Sequence, residues 1–180
     1  GCFGGRIQAA RWDHGTITDL GGPYGELSTS AHDINERGQM VGWRYTPLGP
    51  RNFRAAFWNG VTAPVDLGTF GGFNSEALAL NDSAHIVGWS QAANGDSRAT
   101  MWFNGAAVDL GSGEARDINN LGQIVGSGAG FAATLWEGLK PIDLNTVLDP
   151  AARAAGFVLD DAMAINDLGW IVGTAHNTLD

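Results

Sequence analysis

The 180-residue chain carries 10 basic against 19 acidic side chains, a net charge of −9, and only 16% of its residues are charged. It holds 27 glycines and seven tryptophans beside two tyrosines and a single cysteine. That balance argues against nucleic acid or an acidic membrane surface as partner, Cys2 alone excludes an internal disulfide, and no apolar run approaches the ~20 residues of a membrane-spanning helix.

Apolar and aromatic residues are too plentiful for a disordered chain, and the glycines follow no Gly-X-Y period. The composition therefore reads as many short strands joined by glycine turns. The chain opens with Gly1-Cys2, which suits the junction where a bacterial lipoprotein is cleaved and acylated, or a remnant of cloning. Two strand-like segments follow, RIQAARW ending at Trp12 and TITDLG ending at Gly21, separated by His14-Gly15. The next segment, AHDIN, ends at Asn35, and GQMVGW carries Val41-Gly42. This order then recurs. Tetrads ending in Trp stand at Trp12, Trp58, Trp102 and Trp136, and seven or eight residues later an Asp-Leu pair begins at Asp19, Asp66, Asp109 and Asp143. Segments ending in Asn close at Asn35, Asn81, Asn119 and Asn166, and seven residues beyond each comes the glycine of a Val-Gly pair.

Each unit resolves into four short strands. Asn at the first turn can bond its own downstream backbone, while Asn59-Gly60 and Asn104-Gly105 supply hairpin chemistry at the last. Alternation along AHDIN puts Ala31, Asp33 and Asn35 on one face and His32 and Ile34 on the other. Four antiparallel strands in a unit of roughly 45 residues is the arithmetic of a β-propeller blade. The expected fold is a single all-β domain over residues 1–180, a four-bladed β-propeller with blades at about 23–67, 73–110 and 111–144 and a split blade of 157–180 joined with 1–22. That last blade would shut the ring.

The stretch VDLGTFGGFNSEALALND followed by HIVGW resembles the HAF-repeat proteins, a family of probable extracellular bacterial proteins, over nearly the whole chain as four degenerate copies. The resemblance implies secretion or a place at the cell surface and a repetitive β architecture, and it carries no catalytic residues. Gln8, Arg54, Arg98 and Ala132 stand where the namesake histidine would fall.

No Gly-x-Ser-x-Gly, His-Glu-x-x-His, phosphate loop or calcium loop is present, so no catalytic residue is assigned and no cofactor is expected. Chemistry is better sought by topology. The longer, variable loops fall on one face of such a fold, and variable loops on a rigid scaffold are where binding usually resides. That face would carry Tyr24, Tyr45, Arg51, Phe53, Phe73, Asn94 and Asp96, a mixture that suits a glycan or a protein partner. Trp43 and Trp89 share a column just after Val-Gly and join this set, whereas the Trp12 column reads as packing between blades. Asp149 before Pro150 reads as the cap of one short helix. Asp33 and Asp117, on blades that would face each other, could hold Ca²⁺ through oxygen ligands, or else bond nearby backbone, Arg116 or His32. The expected function is an extracellular, non-enzymatic binding or fibre module that could also self-associate by stacking face to face. The alternative is a carbohydrate-active enzyme using carboxylates among Asp96, Asp149, Asp160 and Asp161.

Overall fold

In the computed structural model, residues 7–21, 28–46, 52–60 and 63–179 are described. Antiparallel hairpins dominate because short runs of Val, Ile, Trp, Phe and Thr alternate with turn chemistry. β1 (Ala10–Asp13) and β2 (Thr16–Asp19) form a two-stranded sheet. β3 (Thr29–Ile34), β4 (Gln39–Tyr45), β5 (Phe53–Asn59) and β6 (Val65–Asp66) form the first four-stranded sheet. β7 (Gly71–Leu80), β8 (Ile86–Ala92), β9 (Ser97–Phe103) and β10 (Ala106–Ser112) form the second. The third holds β11 (Glu114–Ile118), β12 (Ile124–Ser127), β13 (Ala133–Glu137) and β14 (Lys140–Asp143). After the short helix α1 (Pro150–Ala154), β15 (Phe157–Ile165) and β16 (Ile171–Asn177) make a second two-stranded sheet. Asp149 caps α1 as expected, its Oδ1 accepting from the amides of Ala151 and Ala152. Among the described residues no helix is long and apolar enough to cross a membrane.

Every complete sheet runs in sequence order, and its first two strands share one irregularity. The pairing skips a residue between Ala31 and Asp33, between Ala77 and Ala79, between Ala115 and Asp117, and again between Ala162 and Ala164. These bulges overturn the simple alternation expected along AHDIN, because the extra residue (His32 in the first sheet) resets which side each neighbour faces. They also explain the repeated Val-Gly pair. A Cβ on Gly42, Gly88, Gly126 or Gly173 would meet the carbonyl oxygen of Ser30, Glu76, Glu114 or Asp161 at 1.9–2.0 Å. Only glycine fits that approach.

Successive sheets pack face to face through small apolar clusters. Val41, Ala55, Ala77, Leu80, Ile86 and Trp102 fill the space between the first and second sheets, and Ala79, Val87, Leu110, Ile118 and Trp136 that between the second and third. β1–β2 packs on the first sheet through Ala9, Leu20, Met40 and Trp58, and β15 packs on the third through Val125, Ala133, Ala162 and Ile165. The tryptophan column is thus a core column where a complete sheet carries it: Trp58, Trp102 and Trp136 are 0%, 1% and 1% exposed. Trp12 is 71% exposed, and Val172 is 64% exposed where Val41, Val87 and Val125 are wholly buried. The two outer sheets therefore present, on their free sides, residues whose counterparts are interior.

The asparagine column ties the sheets together. Asn81 Oδ1 accepts from the amides of Ser83 and His85, holding the turn, and its Nδ2 donates 3.1 Å to the carbonyl of Asn119 in the next sheet. Asn35 does the same toward Asn81, and Asn119 toward Asn166. A second line runs beside it, in which the amides of Glu36, Asp82 and Asn120 donate to the side chains of Asp82, Asn120 and Asp167. Ile34, Leu80, Ile118 and Ile165, from the first strands of four successive sheets, all line one cavity of about 230 Å³ at this end.

Candidate functional site

The opposite end of the sheets, where the second strand leaves and the first arrives, gathers most of the unusual side chains. Trp43 and Tyr45 lie near the end of β4, and Phe53 opens β5 directly opposite Tyr45. Their rings meet edge to face, Trp43 to Tyr45 with centroids 5.1 Å apart, and Trp43 to Phe53 tilted at 5.8 Å. Phe53 in turn meets Trp89 of β8 at 5.8 Å, T-shaped, so the row crosses from the first sheet to the second. All four rings are half-buried. Trp89 Nε1 donates 3.2 Å to Glu76 Oε2, which joins the aromatic row to an ionic cluster.

The ionic cluster follows from the bulges. Ser30, Glu76, Glu114 and Asp161 hold one register position, each paired with the residue just after the Val-Gly pair. The bulge residues beside them include His32 and Arg116. His32 Nε2 lies 3.6 Å from Glu76 Oε1, and its Nδ1 lies 3.2 Å from the carbonyl of Ala77. Arg116 bridges two carboxylates, with Nη2 at 3.0 Å from Glu114 Oε2 and Nε at 2.7 Å from Asp161 Oδ2. The other Asp161 oxygen is buried without a hydrogen-bond partner among the described residues. Burial pushes the Glu114 carboxyl above the usual carboxylate range; Arg116 pulls it back, and the charges of Glu76 and Asp161 raise it further. Three carboxylates thus share one guanidinium and one imidazole beside an aromatic wall.

Of the residues expected at a ligand face, Tyr45, Phe53, Trp43 and Trp89 are brought together. Phe73 is exposed, with its amide bonded to Gln91 Oε1, and stands outside the row. Asn94 and Asp96 bond each other across the β8–β9 turn, Nδ2 to Oδ2 at 2.8 Å and amide to Oδ1 at 3.1 Å. Tyr24, Arg51 and Cys2 lie outside the described residues. Asp33 and Asp117 use both oxygens on backbone: Oδ1 accepts from the next amide in the strand, and Oδ2 from Leu80 or Ile165 of the following sheet. Those contacts are the backbone alternative to a Ca²⁺ role, and no group of three or more His, Cys, Asp or Glu is placed to hold a metal among the described residues. Of the remaining carboxylates, Asp149 caps α1, Asp160 pairs with His176 at 2.8 Å, and Asp161 belongs to the cluster.

The sequence reading missed Glu76, Glu114 and the way Arg116 is shared. Their common column, two residues before each bulge, is the signal that could have found them. A cluster of this kind can accept hydroxyl and ammonium donors on its carboxylates while a ring face lies against an apolar patch of the ligand. Comparison of the chain with protein-family models, with curated proteins and with solved structures finds no match.

Proposed function

We propose that this chain is an extracellular, non-enzymatic binding module, and that a glycan is its ligand. The observation that carries the reading is the unbroken row Tyr45–Trp43–Phe53–Trp89, ending in a hydrogen bond to Glu76. Sugars present both an apolar face that lies on aromatic rings and hydroxyls that carboxylates accept, and this row offers the two side by side. The carboxylate surplus and the net charge of −9 favour neutral or amino sugars over acidic ones. The extracellular setting is supported by the resemblance of VDLGTFGG at 65–72 to HAF repeats. As for the finer fold, we read the sheets as blades of a four-bladed β-propeller in which β15–β16 and β1–β2 together make the fourth.

A glycan array followed by calorimetric titration tests the ligand. Trp89→Ala should weaken the best binder about tenfold or more, which is about 1.4 kcal/mol, with the thermal midpoint little changed. An array with no binder, or a binder indifferent to Trp89→Ala and Phe53→Ala together, would remove the reading. A carbohydrate-active enzyme is the second reading, and the raised Glu114 carboxyl between Glu76 and Asp161 is what favours it. Release of reducing ends by the wild-type protein, abolished in Glu114→Gln, would choose it instead.

A further inference from the structure

One structural position carries a bridge between successive sheets at two joints, with different chemistry at each. Arg116, the bulge residue of β11, reaches Asp161 of β15 in the next sheet at 2.7 Å. His32, the bulge residue of β3, reaches toward Glu76 of β7 in the next sheet at 3.6 Å. Glu76 and Asp161 hold the same register position, each two residues before the bulge that precedes the turn asparagine. A guanidinium stays charged throughout the physiological range. An imidazole is charged only when protonated, and histidine is the side chain that ordinarily changes charge between pH 5 and 8.

The surroundings of His32 suit the charged form. Nδ1 lies 3.2 Å from the carbonyl oxygen of Ala77, an acceptor that is served only by a proton on that nitrogen. Nε2 faces Glu76 Oε1, a second acceptor. A neutral imidazole carries one N–H, so with Nδ1 donating it turns a lone pair toward a carboxylate. Only the imidazolium serves both. The Glu114 carboxyl, raised first by burial, is raised further by the charge of Glu76, so β11 adds negative charge behind the bridge. From β1, Arg11 lines a cavity of about 270 Å³ together with His32 and Asp33. Asp33 uses both oxygens on backbone amides, and Arg44 of β4 is turned to Asp66. The charge on His32 is therefore set between Glu76, which favours it, and Arg11, which opposes it.

Glu76 is also the carboxylate that anchors the aromatic row. Its Oε2 accepts from Trp89 Nε1 at 3.2 Å, and Trp89 meets Phe53 at 5.8 Å. We propose that His32 is a pH sensor for this site, acting through Glu76 on Trp89. With His32 protonated, Glu76 is held between imidazolium and indole, and the row keeps its geometry. On loss of the proton, the Nε2 lone pair repels the carboxylate, Glu76 turns toward water and Trp89 loses its anchor. The bridge needs the proton, so what it adds to stability is present at low pH and lost as pH rises. The inference rests on the reading that the row binds a glycan, and it gives that site a regulator: tighter capture in mildly acidic surroundings, weaker toward alkaline ones. His32 is a positioning residue, since it acts through Glu76.

Titration of the best array glycan at about pH 5.5 and about pH 8, with nuclear magnetic resonance of the indole N–H groups, tests it. The wild-type protein should bind about threefold or more tightly at the acid end. His32→Arg, which copies the Arg116 bridge, should bind at the acid-end strength at both pH values. His32→Leu, which copies Leu78 at the bulge of the second sheet, should bind at the weaker strength at both. The Trp89 indole resonance, identified by its loss in Trp89→Phe, should move with pH in the wild type and stand still in both His32 variants. The other histidines and the glycan titrate alike in all three proteins, so only the difference between proteins is read. Affinity that changes equally with pH in all three would overturn the proposal, as would a Trp89 resonance that ignores pH. If no glycan binds, the ligand reading fails, and the indole resonance still decides the pH inference.

Discussion

Asn35, Asn81, Asn119 and Asn166 stand at one position of four turns, and the first three do two jobs at once. The carbonyl oxygen of the side chain closes its own turn, and the amide nitrogen holds the next sheet. Half of this was legible: an asparagine ending a strand before a short turn announces the local bond. The other half needed the stacking of sheets, which no spacing within one unit reveals. The same turns contain an exception. Gly38, Gly122 and Gly169 adopt left-handed backbone, with φ of 71°, 78° and 78°, and Ala84 takes φ 59° at the matching place. Left-handed backbone costs an L-residue roughly 1–2 kcal/mol, partly offset by the entropy glycine adds to the unfolded chain. Ala84→Gly should therefore stabilise the protein by about 0.5–1 kcal/mol, read as a higher urea midpoint at unchanged slope. Arg98 and Asp109 show a residue pair of the exposed kind: Nη2 lies 2.9 Å from Oδ2, and although desolvation raises the Asp109 carboxyl, the Arg98 hydrogen bond and the Gly111 amide outweigh it and hold it low.

At the scale of the strand, the bulge is the feature that governs both fold and site. It fixes the seven-residue step from Asn to the glycine of Val-Gly, since the first strand's carbonyl passes where a Cβ would be. Gly88→Ala should cost about 1–3 kcal/mol through overpacking against Glu76, and it should also displace the Glu76 carboxylate from Trp89. Thermal melts and glycan titration on that variant measure both effects. The bulge is also where reading by alternation fails. Asp33 and Asp117 were expected to share a face with Ala31 and its counterpart, whereas they turn their carboxylates onto the amides of the next sheet. Glu76 and Glu114 are not legible in the sequence, and Asp161 is named there without them, for the same reason: their common register appears only when each strand pair is aligned on its bulge. The aromatic row was better legible. Trp43 and Trp89 were set apart from the packing tryptophans by their column, and Tyr45 and Phe53 by flanking a long loop.

For the whole molecule, the repeat and its all-β sheets were plain in the sequence, and the state of the two ends was not. Strand order can be counted from letters; whether an edge meets a partner depends on how far successive sheets turn relative to one another. The interior sheets bury both faces and the outer ones bury one. Hydrogen exchange should reflect this as a gradient. Amides of β8 and β12 should open only with global unfolding, and those of β1, β2 and β16 should exchange at least about a hundredfold faster. Uniform protection across all five sheets would contradict it.

The asparagine line has a further consequence for how such a chain can change over time. Each sheet donates the same side-chain amide to the next and offers the same carbonyl to the one before, so the bonds between neighbours do not depend on which two units are adjacent. Loss or duplication of one whole unit by recombination between like gene segments leaves every remaining bond with its partner. Replacing a single turn asparagine breaks contacts in two sheets. The architecture is therefore more tolerant of altered length than of altered letters at the turn.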